Sequence, residues 1–245
     1  MSSTMAHHGS HQTMAPVRAS RYFPRNSDDL TGNGHRQLLG VLGIALPVMV
    51  VLAAGLRPVK HIEAWKMLPS ISAYYHTGAE AFFIGIVVAL GVFLLTYEGF
   101  GNADGRKDRT AARIAGASAL VLAVFPTEAQ GGFPCPGWWK PWMEVLHATG
   151  AAVLFLSFGY MSWFLFPLSD KTLSREKRLR NLIHRLCALV IGAGLAWALV
   201  AGFLLQRGIF LPETLMLLAF GISWLVKGKV DVTAKALLAR AEASA

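Results

Sequence analysis

The sequence predicts an all-α integral membrane protein: a bundle of six transmembrane helices with both termini in the cytoplasm. Three observations predict it. Hydrophobic residues make up 54% of the 245-residue chain, with a mean hydropathy of +0.45. Charged residues make up only 15%, where a soluble domain carries about 25%. The charges that remain are bunched: none falls between Arg36 and Arg57, whereas the stretch from Lys171 to Arg185 holds six basic residues. Apolar runs separated by basic loops are the pattern of a polytopic membrane chain.

A spanning helix needs about 20 mostly apolar residues, and six segments approach or meet that length. They are Leu38–Leu56, Gly78–Tyr97, Thr110–Pro126, Val145–Phe166, Leu186–Leu205 and Phe210–Val226. Pro47 implies a kink in the first without a break, since neighbours in a membrane re-satisfy freed backbone groups. The third is the weakest, with an uninterrupted apolar core only from Ile114, and its small residues suit a helix inside the bundle. Residues 1–36 are polar and without an apolar core, so they read as a disordered cytoplasmic tail and not as a secretory signal. Within it His7, His8 and His11 read as solvated low-complexity sequence. The transmembrane domain is 37–228. Residues 229–245 form a cytoplasmic tail or a short amphipathic helix, with Val232, Leu237 and Leu238 apolar and Lys235 and Arg240 able to snorkel.

Orientation follows from the cations. Eighteen of the 23 Lys and Arg fall in the N-terminal tail, the 98–113 loop, the 168–185 loop and the C-terminal segment; Arg57, Lys60, Lys66, Lys140 and Arg207 fall on the alternate side. The positive-inside rule places both termini in the cytoplasm, and the expected location is a bacterial cytoplasmic (inner) membrane. The net charge of +9 is thereby explained by lipid headgroups, and no soluble basic domain exists to bind nucleic acid. Cys135 and Cys187 lie on opposite sides and are not expected to pair. The loop GGFPCPGWWKPW (131–142) reads as an interfacial aromatic belt.

Packing is expected through small residues, which let helices approach closely. The fifth span carries Gly194, Ala198 and Gly202 in one row and Ala188, Gly192 and Ala196 in a second. The third (Ala115, Gly116, Ala117, Ala119) and the second (Gly85, Gly91) offer similar faces. Self-association into a homo-oligomer is left open.

The even-numbered spans all enter from the extracytoplasmic side, and each begins with a carboxylate: Glu80, Glu144 and Glu213. One account is capping. Thr77 and Glu80 have capping-box spacing, Pro141 and Pro212 suit the first helical turn, and acids are favoured at helix N-termini. The other is convergence into a polar vestibule. Glu144 and His147 share a helical face, and Ser72, Tyr75, His76, Thr127 and Glu128 lie at the same depth. Ionisable groups at such depths face a bundle interior or an aqueous cavity. The candidate ligand-binding residues are therefore Ser72, Tyr75, His76, Glu80, Glu144, His147 and Glu213. A Ser72–His76 nucleophile pair needs residues 70–76 to be helical. His76, His147 and a glutamate are acceptable zinc ligands, but no metal-binding spacing accompanies them, so no catalytic residue, metal ligand or cofactor is assigned.

The stretches LPSISAYYHTGAEAFFIGIVVALGVFLLTYEGF, AVFPT (123–127) and LPETLMLLAFGISWLVKG (211–228) resemble a family of uncharacterised bacterial multi-pass proteins over about residues 38–228. That resemblance implies a fold and a membrane address, with no activity attached. Pro69, Ile71 and Ser72 give a fainter likeness to the eukaryotic six-span group that includes the DRAM autophagy modulators. Ser72 and His76 are similar to the S-x-x-x-H element of the alkaline ceramidase and progestin-receptor superfamily, but the later aspartate and second histidine of that pattern are missing. The expected function is non-enzymatic: binding of a lipid or small amphipathic ligand in the extracytoplasmic vestibule, with membrane lipids as partners. The alternatives are a metal-dependent membrane lipid hydrolase and a small-solute transporter.

Overall fold

The computed structural model describes residues 30–58, 65–99, 105–130, 132–168 and 174–230. The tail histidines His7, His8 and His11 and the segment with Val232, Leu237 and Leu238 lie outside the described residues. Among those described there are six α-helices and no strand: α1 (Leu30–Leu56), α2 (Glu80–Leu95), α3 (Gly105–Val124), α4 (Pro141–Tyr160), α5 (Arg175–Leu199) and α6 (Phe210–Lys227). A 3₁₀ turn, Ser72–His76, precedes α2, and α4 and α5 each run on through one π-helical stretch, Met161–Leu165 and Val200–Leu204. Four helices (α1, α4 and α5 with their extensions, and α6) are long and apolar enough to cross a membrane. α2 is equally apolar but has only 16 residues, and α3 is interrupted by the charges of its first turns.

The helix limits follow caps more than hydropathy. α1 starts at Leu30, so Asn33 and Arg36 are helical and buried. α5 starts at Arg175 because Ser174 caps it, its hydroxyl accepting from the Lys177 backbone N–H at 3.2 Å; the basic run expected to be loop is its first three turns. The Thr77–Glu80 capping box does not form. Thr77 Oγ1 instead donates to the Tyr74 carbonyl (2.7 Å) and accepts from the Ala79 N–H (3.0 Å), closing the 3₁₀ turn, while Glu80 is exposed.

The helices neighbour one another in a ring in chain order, closed by α1 against α6. They alternate in direction. At one end the 3₁₀ turn meets the start of α6, and at the other Gln37 near the start of α1 donates to the Gly228 carbonyl just beyond α6 (2.8 Å). Phe158 of α4 and Phe220 of α6 stack across the ring at 3.8 Å between centroids, and Leu39, Val50, Leu94 and Trp224 are buried in the same core. The outward faces are apolar, with α5 most exposed (Leu186, Leu189, Trp197, Phe203).

Where helix meets helix, glycine pairs make close backbone approaches. A Cβ added to Gly40 would lie 2.7 Å from the Gly221 carbonyl, and one added to Gly221 would lie 2.6 Å from the Gly40 carbonyl, so α1 and α6 touch main chain to main chain. Gly91 and Gly116 do the same for α2 and α3. The rows expected on α5 contribute less. Gly194 packs on Met216 and Gly202 only loosely on Ile209, whereas Gly192 faces open space.

Candidate functional site

The site is built around the segment that leads into α2. Pro69 has no N–H to place, but its carbonyl accepts from both Ile209 (2.6 Å) and Phe210 (2.8 Å), tying the segment to the start of α6. One turn into α6, the buried Glu213 accepts from the Ile71 N–H at 2.6 Å. Ser70 Oγ accepts from the Ala73 N–H (3.0 Å), and the Tyr74 phenol accepts from the Leu68 N–H (3.3 Å). Burial pushes the Tyr74 phenol above its ordinary value, so it stays protonated at neutral pH. These bonds hold the 3₁₀ turn rigid and present Ser72 on its inner side.

His147 sits in the second turn of α4 and is buried. Its Nδ1 lies 2.7 Å from the Phe125 carbonyl and its Nε2 lies 2.8 Å from Ser72 Oγ. A carbonyl oxygen only accepts, so Nδ1 carries the proton; in the neutral ring Nε2 is then the acceptor, and the Ser72 hydroxyl donates to it. One turn earlier Glu144 Oε2 accepts from Thr127 Oγ1 (2.8 Å) and from the Glu128 N–H. His76 Nε2 donates to the Thr127 carbonyl at 2.9 Å. The chain leaving α3 at 125–128 is thus clasped by α4 and by the 3₁₀ turn. Glu144→Ala removes a charge-assisted bond worth about 1.5–3 kcal/mol, so amide exchange at Glu128 is expected to accelerate at least about tenfold, read by hydrogen exchange with mass spectrometry; an unchanged rate would show that Glu144 does not hold the segment.

Of the residues singled out in the sequence, Ser72, His76, Glu144 and His147 are joined in one network, and Glu213 fixes the backbone beside it. Glu80 is exposed at the start of α2. Tyr75 packs its ring on His76 and Phe83, at 5.2 and 6.1 Å between centroids. Among the described residues no three His, Cys, Asp or Glu side chains come together as a metal-holding set. Trp139 of the aromatic loop donates to the Pro126 carbonyl (3.2 Å), while Trp138 and Trp142 are exposed. Cys135 and Cys187 are both free thiols.

Below Ser72 a narrow cleft opens between the helices, with a cavity volume of about 40 Å³. Its walls are Leu46 of α1, Phe83, Val87 and Leu90 of α2, Ala119 and Leu122 of α3, Ala151, Leu154, Phe155 and Phe158 of α4, and Leu217 of α6. The polar side chains lining it, Ser72 and Glu213, are both at the end beside the 3₁₀ turn.

A second polar cluster, at the opposite end of the bundle, was not expected. Asp108 of α3 is 1% exposed and accepts from the Tyr97 hydroxyl at 2.8 Å. The Arg36 guanidinium lies 5.8 Å from the Tyr97 ring centroid. Lys227, counted with the cytoplasmic cations of the C-terminal segment, is buried in the last turn of α6, its ammonium 4.7 Å from the Phe166 ring centroid. Beside it His184, Ser223 and Ser162 form a chain of 2.9 Å hydrogen bonds. The available signal was Asp108, an acid inside the otherwise basic run Arg106–Arg113.

A ring of alternating apolar helices with polar residues gathered at its two ends defines a helical membrane protein. Residues 41–223 match the family model described as protein of unknown function (DUF998), and the chain belongs to that family. No curated protein and no solved structure matches it significantly.

Proposed function

We propose that the protein crosses the membrane six times with both termini cytoplasmic, and that it binds the tail of an amphiphile in the cleft below Ser72, with the polar end of the ligand at the 3₁₀ turn. The basic residues at the start of α5 and in the last turn of α6 support this orientation, which puts the 3₁₀ turn at the extracytoplasmic surface. The observation that carries the binding reading is the one-sided polarity of the cleft. Its walls are hydrocarbon over their whole depth, and hydroxyl and carboxylate groups stand only at one end, the complement of a molecule with an apolar tail and a polar head.

Ala151 lines the cleft and is half-buried, so Ala151→Phe fills the space without entering the tightest packing. The parent, purified in mild detergent and examined by native mass spectrometry, is expected to retain a dialkyl-ether phospholipid, and Ala151→Phe to retain at least about tenfold less. That ratio corresponds to about 1.4 kcal/mol, within reach of losing a few buried methylenes. Equal retention by a folded Ala151→Phe would remove the cleft as the binding site.

A further inference from the structure

We propose that Ser72 and His147 are a nucleophile–base pair that cleaves the acyl ester of an amphiphile seated in the cleft. The inference rests on the reading of the cleft given above and adds a reaction to it. An activated serine needs a base within hydrogen-bond reach and a third group that orients the base. All three parts are present. The Ser72 hydroxyl is 2.8 Å from His147 Nε2, and His147 Nδ1 is 2.7 Å from the Phe125 carbonyl. The carbonyl does more than anchor the ring: by fixing the proton on Nδ1 it leaves the Nε2 lone pair facing the serine, the tautomer a general base must have.

Position supplies the second argument. Ser72 is itself part of the cleft lining, at the junction between the hydrocarbon walls and the polar end. In an acyl ester the reactive carbonyl sits at that same junction, between tail and head. A tail filling the cleft therefore brings the carbonyl carbon to the serine oxygen, and the rigid turn keeps it there. Glu213 acts as a positioning residue, since its bond to the Ile71 N–H holds the residue next to Ser72.

The step balances with water as the only co-reactant. His147 Nε2 takes the Ser72 hydroxyl proton as Oγ bonds to the ester carbonyl carbon. The carbon–oxygen bond to the head alcohol then breaks, and that alcohol leaves with the proton from Nε2. Water entering from the extracytoplasmic side gives a proton to Nε2 and attacks the acyl-serine; the proton returns to Ser72 Oγ as the carboxylic acid departs.

The test uses the full chain in detergent with two probes. Hexadecyl fluorophosphonate is expected to phosphonylate Ser72, located by peptide mass spectrometry. The adduct should be absent in Ser72→Ala and form at least about a hundredfold more slowly in His147→Gln, the scale of losing a general base. An independent folding control is the Cys187 thiol, buried in the parent and expected to stay unreactive in both variants. The parent should also hydrolyse p-nitrophenyl decanoate, with Ser72→Ala inactive. A parent that binds the ether phospholipid but gives no adduct at Ser72 overturns the reaction and leaves the binding reading standing. Labelling of Ser72 at the same rate in folded His147→Gln overturns the pair. A parent that neither binds the ether lipid nor reacts overturns both readings together.

Discussion

Asp108→Ala is expected to destabilise the fold by about 3–5 kcal/mol, the cost of removing one partner from a buried charge cluster. Asp108 is buried in the first turn of α3. One carboxylate oxygen accepts from the Tyr97 hydroxyl, the other has no hydrogen-bond partner among the described residues, and the charges acting on it are the cations Lys227 and Arg36. Removing the carboxylate takes an opposite charge away from the buried Lys227 and leaves the positive field of Arg36 and Lys177 acting on it. Lys227→Met fills similar volume without the charge, so the double variant should recover most of the loss, because a buried cation that has lost an opposite charge is costlier than an apolar side chain in its place. The measurement is thermal unfolding in detergent, followed by reaction of Cys187 with a thiol dye in a Cys135→Ser background. A coupling below about 0.5 kcal/mol, the scatter expected of independent sites, would show that Asp108 and Lys227 do not depend on each other.

This cluster also marks where sequence reading stops. Hydropathy locates segments that are apolar in sum, and each segment it marked overlaps one of the six α-helices among the described residues, four of which are long and apolar enough to cross a membrane. It does not mark where the helical hydrogen bonding begins. The polar turns Arg175–Arg185 are helical because Ser174 caps them, so α5 starts eleven residues before its apolar run. Lys227 and Arg36 read from the sequence only as cytoplasmic cations; their burial beside Asp108 brings together α1, α3 and α6, and the acid lies more than a hundred residues before Lys227 in the chain. The site shows the same limit. Its depth could be read from the spans, which grouped Ser72, His76, Glu144 and His147. The pairing could not. Local spacing suggests Ser72 with His76, whereas the structure joins Ser72 to His147, 75 residues away, and turns His76 to the Thr127 carbonyl. Local spacing also suggested a capping box for Glu80, but Thr77 is consumed by the 3₁₀ turn that presents Ser72, and the same turn leaves Glu80 outside.

Glycines that look alike in the sequence are expected to respond in opposite ways. Gly221→Ala should cost about 2–3 kcal/mol, near the top of the range for overpacking, because the new Cβ would lie 2.6 Å from the Gly40 carbonyl and 2.5 Å from Ile44. The isoleucine can rotate, but the carbonyl belongs to the α1 main chain, so relief requires α1 and α6 to separate along a contact that closes the ring. Gly85→Ala and Gly192→Ala meet nothing within 4 Å; they keep their packing and gain the helix preference of alanine over glycine, about 0.5–1 kcal/mol where the backbone entropy of the unfolded chain counts. The same Cys187-labelling assay compares all three. Because α1 and α6 both wall the cleft, Gly221→Ala should also lower ether-lipid retention, whereas Gly192→Ala should leave it unchanged. If Gly221→Ala proved as stable as Gly192→Ala, the two helices would have to lie farther apart than their backbones indicate, and the wall formed by Leu46 and Leu217 would no longer be fixed.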